Sequence, residues 1–165
     1  MSIYLAKRGF QVQVFERRPD MRSNKISAGR SINLALSERG IQALKRVGLD
    51  GEVLADAIPM YGRMMHDRQG NLNYQPYGKE GQAINSVSRG RLNIRLLELA
   101  DAYENIQLHF EHKCIAIDYE NGITRYEKAD GTVVEDHASI IIGTDGAYAA
   151  TRLRMQASDR FDYSQ

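Results

Sequence analysis

The residues best placed for chemistry in this chain are acids that follow apolar runs, with arginines close behind. Glu16 ends the stretch Phe10–Arg18 (FQVQVFERR), in which Phe10, Val12, Val14 and Phe15 are strand formers, and Arg17 and Arg18 follow it directly. In a βαβ dinucleotide fold the second strand ends in Asp or Glu, whose carboxylate accepts the hydroxyls of an adenine nucleotide's ribose. Asp145 stands in a similar place, in Thr144-Asp145-Gly146, after the apolar run Ala138–Gly143. Such a run reads as a strand buried on both faces, and in parallel sheets ligands sit beyond the carboxyl ends of strands. The glycine fingerprint that cradles a pyrophosphate lies about 20 residues before the acid. It would fall at or just before Met1, and no G-x-G-x-x-G is present. The expectation is therefore a chain that begins inside the first helix of a dinucleotide-binding domain. An unrelated helix–strand pair ending in Glu is the competing reading of this stretch.

Other reactive side chains are sparse. Arg17, Arg18, Arg22, Lys25 and Arg30 face only Glu16 and Asp20, which makes either a phosphate-binding rim or a solvated loop. His66, His109, His112 and His137 have no metal-ligand spacing with cysteine or acids and read as structural or surface residues. The single cysteine, Cys114, excludes an internal disulfide framework and points to a reducing, cytoplasmic compartment. With 22 basic and 21 acidic side chains, net charge favours neither nucleic acid nor a membrane surface. No apolar run approaches a membrane span, and Met1–Phe10 lacks the apolar core of a signal peptide. At 42% hydrophobic and 26% charged, the 165 residues suit one globular domain or a piece of one.

These residues need elements to hold them. Ser2–Arg8 reads as the tail of a helix stopped by Gly9. Pro19–Gly29 is a polar loop, and Ser31–Leu36 a short apolar stretch. Ser37 can cap a helix with Ile41, Leu44 and Val47 inward, ended by Gly48. Asp50–Ala57 is a second short helix. Gly62–His66 and Leu72–Tyr77 flank the polar turn Asp67–Asn71 as a hairpin, with Pro76 confining the second strand to an edge. Ala83–Val87 is a further strand, and Ser88 caps a helix carrying Leu92, Leu96, Leu99 and Tyr103. Ile106–Phe110, Cys114–Tyr119, Ile123–Glu127 and Thr132–Glu135 are strand-like, with hairpin signals at Asn121-Gly122 and Asp130-Gly131. Thr151–Gln165 shows no clear element. The order is α/β: residues 1–165 as part of one nucleotide-binding domain, with an insert at 59–87 and an antiparallel meander at 114–137.

Three stretches are specific together: VFERRPD at Val14–Asp20, GRSINLALSERG at Gly29–Gly40 and IIGTDGAYAATR at Ile141–Arg152. Their order and spacing resemble the class A flavoprotein aromatic hydroxylases, and the middle stretch resembles the kynurenine-hydroxylating branch. GRMMH, QPYG, SVSRGRLN and RFDYSQ, at Gly62, Gln75, Ser86 and Arg160, support the likeness. It covers nearly the whole chain but about the first third of such an enzyme.

The resemblance implies a Rossmann-like FAD-binding domain, truncated at both ends, with part of a substrate-domain sheet. It implies Glu16 on the adenosine ribose, Arg17 and Arg18 near the phosphates and adenine, Ala35 beside the flavin, and Arg89 reaching the FAD. Cys114 would touch the adenine side through its backbone; a small buried hydrophobe explains the side chain equally well. Asp145 and Gly146 match the family's second fingerprint, linked to FAD and NADPH. The Ser usual four residues after that Asp is here Ala149, while Arg152 is retained. For the substrate, L-kynurenine, the resemblance singles out Arg63 and Tyr77. A guanidinium matches an α-carboxylate bidentately, and a phenol adds an oriented donor. A solvent-facing strand residue and a hairpin aromatic covering the core are the competing readings of the two. The implied activity is FAD- and NADPH-dependent hydroxylation of L-kynurenine to 3-hydroxykynurenine with O2. Hydroxylation of a phenolic acid and a non-enzymatic nucleotide-binding fragment remain as alternatives. The isolated chain, lacking a glycine loop, is expected to bind FAD weakly or not at all and to be inactive.

Overall fold

The computed structural model describes residues 1–23, 33–147 and 149–156. The chain opens with α1 (Ser2–Ala6), β1 (Val12–Phe15), β2 (Leu34–Leu36), α2 (Glu38–Lys45) and α3 (Asp50–Ala55). It continues with β3 (Ile58–Met60), β4 (Gly62–His66), β5 (Leu72–Pro76), β6 (Ile84–Val87) and α4 (Arg89–Asp101). Then come β7 (Ile106–His109), β8 (His112–Asp118), β9 (Ile123–Lys128), β10 (Val133–His137) and α5 (Ala150–Gln156). Two compact units emerge, one of residues 1–10 and 26–104, the other of 11–25 and 105–165.

In the first unit, α1 ends where Gly9 adopts a φ of 84°, a left-handed turn that glycine makes without steric cost. Ile3 and Ala6 are buried. The Tyr4 hydroxyl donates to the Ala43 carbonyl (2.6 Å) and Lys7 Nζ to that of Arg46 (3.0 Å), fastening α1 to the end of α2. The apolar spacing of α2 and α3 delivers Leu44, Val47, Leu49 and Val53 to the core. β6 is the middle strand of an antiparallel sheet ordered β2-β6-β3, which buries Val87. Ser88 then caps α4, its hydroxyl accepting from the Arg91 amide at 3.4 Å. Ion pairs from Arg91 to Asp56 and from Arg95 to Glu52 join α4 to α3 and its C-terminal end. β4 and β5 form the expected hairpin, and Pro76 lies at its end opposite Gly62, where it breaks no central ladder.

In the second unit β1 and β7 pair in parallel, Val12 with Ile106 through Phe15 with His109. β8, β9 and β10 make the antiparallel meander, turning at Asn121-Gly122 and Asp130-Gly131, where both glycines have positive φ. A register shift between Cys114 and Ala116 leaves Ile115 bulged out of the β8 ladder and 43% exposed. Ile106, Ile117, Tyr126 and Ala149 are buried, each large apolar side chain contributing about 1.5–3 kcal/mol.

Two expectations are corrected. Ala138–Gly143 is not a strand: Ile140 is 69% exposed, and the backbone hydrogen bond at this run is that of the Ala138 amide to the Gly122 carbonyl. Apolarity supplies faces to bury, but a strand exists only where a neighbour takes its amides and carbonyls. Asp145 therefore does not end a parallel strand, whereas Glu16 does. Residues 151–156, part of the stretch in which the sequence shows no clear element, belong to α5, whose first turn is capped by Asp145, six residues upstream of Thr151. Lys25, Arg30, the start of GRSINLALSERG and RFDYSQ lie outside the described residues.

Candidate functional site

Glu16 emerges directly after β1, and its amide continues the ladder by donating to the His109 carbonyl at 2.8 Å. The ring before it fixes the place. Phe15 stacks on Tyr126 (centroids 3.8 Å apart, 11° between planes) and on His109 (4.7 Å, 15°). The end of β1 is thus clamped by β7 and β9. The Glu16 carboxylate is held by Arg18: Oε1 accepts from the Arg18 amide (2.9 Å) and Nε (3.0 Å), Oε2 from Nη2 (3.1 Å). Burial pushes the Glu16 carboxyl up, but the Arg18 hydrogen bonds and the charges of Arg18 and Arg17 outweigh it, so the group titrates below its ordinary value. Each carboxylate oxygen has two acceptor sites. Oε1 is filled, and Oε2 keeps one site open to a hydroxyl. An anionic acceptor beyond a parallel strand fits an adenosine ribose, and a second ribose bond requires Arg18 to release one of its own. Arg17 is exposed beside this pair. Arg22 forks onto both oxygens of Asp20 and lies 5.7 Å over the Phe110 ring, so it serves the loop that follows.

Asp145 and Gly146 line an open cavity of about 300 Å³ with Tyr119, Ala149, Thr151 and Arg152. Asp145 Oδ2 accepts from the Thr151 amide (3.1 Å) and Oδ1 from its hydroxyl (2.6 Å). Burial raises the Asp145 carboxyl, and these two Thr151 bonds overcome it, leaving it below the ordinary value. Arg152 turns back on its own loop, donating to the carbonyls of Gly146 (3.2 Å) and Ala147. The Tyr119 hydroxyl donates to the Thr151 carbonyl at 2.6 Å. Ala149, where the resemblance implies a Ser, is 4% exposed. The hydroxyl facing Asp145 comes from Thr151 instead. Cys114 is half-buried; burial, then the Asp145 charge, push its thiol up, which keeps it protonated and weakly nucleophilic. Thr151 and Tyr119 were not singled out from sequence. Thr151 carried no local signal, since the Asp it pairs with lies six residues away.

The remaining candidates belong to the first unit. Ala35 is exposed on β2 opposite Ser86, and Arg89 is exposed as the first residue of α4, three residues on from Ser86. A small side chain and a guanidinium at a helix start thus flank the same end of β6. Arg63 and Gln75 are directly opposed in the β4–β5 hairpin, and the Tyr77 amide extends the ladder by donating to the Tyr61 carbonyl at 2.9 Å. Opposed residues and residues two apart share a face, so Arg63, Gln75 and Tyr77 share one. Arg63 donates from Nε (2.8 Å) and Nη2 (2.6 Å) to Gln75 Oε1. On the other face the Tyr74 ring lies over Gly62, where any Cβ would collide with it and with the Gln75 carbonyl.

No family model matches the chain. Among curated proteins it is 44% identical over 167 residues to the kynurenine 3-monooxygenase of Myxococcus xanthus, covering 100% of this chain and 36% of that protein. It is 43% identical to that of Sus scrofa, covering 99% and 35%. The chain spans about a third of the length of these relatives. Among solved structures, the flavin-dependent monooxygenase PieE, in complex with FAD and substrate, superposes with a TM-score of 0.78 at 16% identity, over 94% of this chain and 29% of that one. PqsL of Pseudomonas aeruginosa, a probable FAD-dependent monooxygenase, gives 0.67 at 21% identity, over 99% and 43%. The chain is thus an α/β relative of the kynurenine 3-monooxygenases along its whole length, on the fold of the FAD-dependent monooxygenases.

Proposed function

We propose that this chain is the FAD-binding part, with one wall of the substrate site, of an enzyme that hydroxylates L-kynurenine to 3-hydroxykynurenine with NADPH and O2. Similarity to kynurenine 3-monooxygenases from end to end carries the reading. Residues 1–165 would then be part of one FAD-binding domain, with 59–87 as an insert at the substrate site, and the lone cysteine supports a reducing, cytoplasmic setting.

Glu16 would hold the adenosine ribose, as an ionised acceptor with an open site. Arg17 would flank the phosphates and adenine. Arg18, committed to Glu16, would reach them only by exchanging that bond. Ala35 would leave room for the flavin, and Arg89 would present donors to phosphate oxygens. Cys114, Asp145 and Gly146 would border the cofactor. FAD, reduced by NADPH, supplies the oxygen-transfer chemistry when bound. The chain's own part is to bind and orient. Arg63 takes the α-carboxylate of kynurenine, Tyr77 donates a hydroxyl hydrogen bond while its ring packs on the substrate, and together they hold the aromatic ring for reaction. No side chain here need act as a nucleophile.

The test uses the protein made from the longest reading frame containing this chain, with FAD, NADPH, O2 and L-kynurenine. A product heavier by one oxygen atom, abolished by Arg63→Ala with FAD still bound, supports the proposal. NADPH consumption yielding only peroxide removes the substrate assignment, and failure to bind flavin removes the whole reading. The 165-residue chain alone is expected to bind FAD weakly or not at all and to show no hydroxylase activity, and tight stoichiometric flavin binding by it would contradict the first of these.

A further inference from the structure

We infer that Gln75 is a positioning residue for Arg63, setting which edge of the guanidinium is offered to a substrate carboxylate. This rests on reading Arg63 as the carboxylate partner. A guanidinium has two edges able to grip a carboxylate: the side edge of Nε and Nη2, and the end edge of Nη1 and Nη2. Gln75 Oε1 takes both donors of the side edge, at 2.8 and 2.6 Å. The end edge keeps one N–H on each terminal nitrogen for a bidentate bond. The amide thus chooses between two docking geometries that differ in where the rest of the ligand lies. The hairpin makes this choice reproducible. Arg63 and Gln75 are directly paired across β4 and β5, and the Tyr77 amide carries the ladder on by donating to the Tyr61 carbonyl. A neutral amide also suits the task better than a carboxylate would, because it orients the cation without neutralising it.

A plain cross-strand contact would matter equally for every substrate. A positioning role matters only for ligands that carry a carboxylate, and this separates the two. The protein made from the longest reading frame containing this chain, loaded with FAD, is assayed by substrate-dependent NADPH oxidation. L-kynurenine is compared with its decarboxylated analogue, in wild type, Gln75→Met and Arg63→Met. Gln75→Met keeps length and removes the acceptor. The expected result is a KM for L-kynurenine raised about tenfold, the loss of one oriented hydrogen bond to a charged group. Its kcat and the KM of the analogue stay within about twofold. If Gln75→Met shifts both substrates alike, or neither, while Arg63→Met separates them, the inference is overturned and the Arg63 reading stands. If Arg63→Met does not separate them either, both fall. Should Gln75→Met fail to retain FAD, Gln75→Thr, whose hydroxyl is too short to reach, takes its place in the same comparison.

Discussion

Replacing Thr151 by Val isolates the brace at the candidate cofactor loop. Valine keeps the branched shape and the backbone amide bond to Asp145 Oδ2, and deletes only the hydroxyl that donates to Oδ1 at 2.6 Å. A hydrogen bond to a charged group contributes about 1.5–3 kcal/mol when shielded, and a helix cap about 1 kcal/mol. Asp145 is largely exposed, so the lower figure applies: about 1 kcal/mol, a roughly fivefold rise in the open population of α5. Amide hydrogen exchange of α5, followed by NMR at neutral pH, should speed up about fivefold in Thr151→Val. Thr151→Ser should restore most of the protection. The sign with pH follows from Asp145, whose carboxyl is depressed below its ordinary 3.8 in the folded chain. Its stabilisation is present above that value and disappears as pH falls through the lower, folded-state value. Below both, wild type and Thr151→Val should converge. A difference that persists in strong acid, or equal protection at neutral pH, would refute the argument. Gly143→Ala should act in the same direction, because a Cβ there collides with the Thr151 side chain that makes the brace.

Glu16→Gln, in the protein of full reading-frame length, should weaken FAD binding about tenfold, since a neutral amide loses the charge in its ribose bonds; flavin fluorescence titration would measure it. Gly62→Ala should destabilise the β4–β5 hairpin by about 1–3 kcal/mol through collision with Tyr74 and the Gln75 carbonyl, visible as lost cross-strand NMR contacts. His109 is depressed by burial and then by the neighbouring His112. It therefore favours the folded state above the ordinary 6.5, and that contribution is lost as pH falls through its folded value; ring-proton titration should place its midpoint below 6.5.

Local chemistry was the legible part of the sequence. Gly9, Ser88, Asn121-Gly122 and Asp130-Gly131 declare their turns and caps through single-residue preferences, and the structure uses all of them. Glu16 was legible as an acid beyond a strand, but not as an acid held by Arg18, because that bond depends on how the chain bends after the strand. Ala138–Gly143 misled because apolarity marks what wants covering, and pairing is decided by residues elsewhere in the chain. α5 was missed because its cap lies six residues away. The Gln75–Arg63 contact was open to sequence reasoning in principle: once Gly62–His66 and Leu72–Pro76 are paired about the Asp67–Asn71 turn, the register puts the two opposite each other. The stack of Phe15 with His109 and Tyr126 carried no such signal, since it joins three distant segments.

That stack also has a meaning for synthesis on the ribosome. Phe15 emerges early, yet the rings that fix it belong to residues 109 and 126. The acid that follows it has no defined place while only the first half of the chain has been made. A stalled or prematurely ended translation product would carry the Glu16-Arg17-Arg18 signature, with Arg18 at hand to grip the carboxylate, and still lack the β7 and β9 rings that fix the end of β1. The place of the strand end that carries Glu16 is in this sense conferred from the later half of the chain, and substitutions at Tyr126 should loosen that end although it lies far away in sequence.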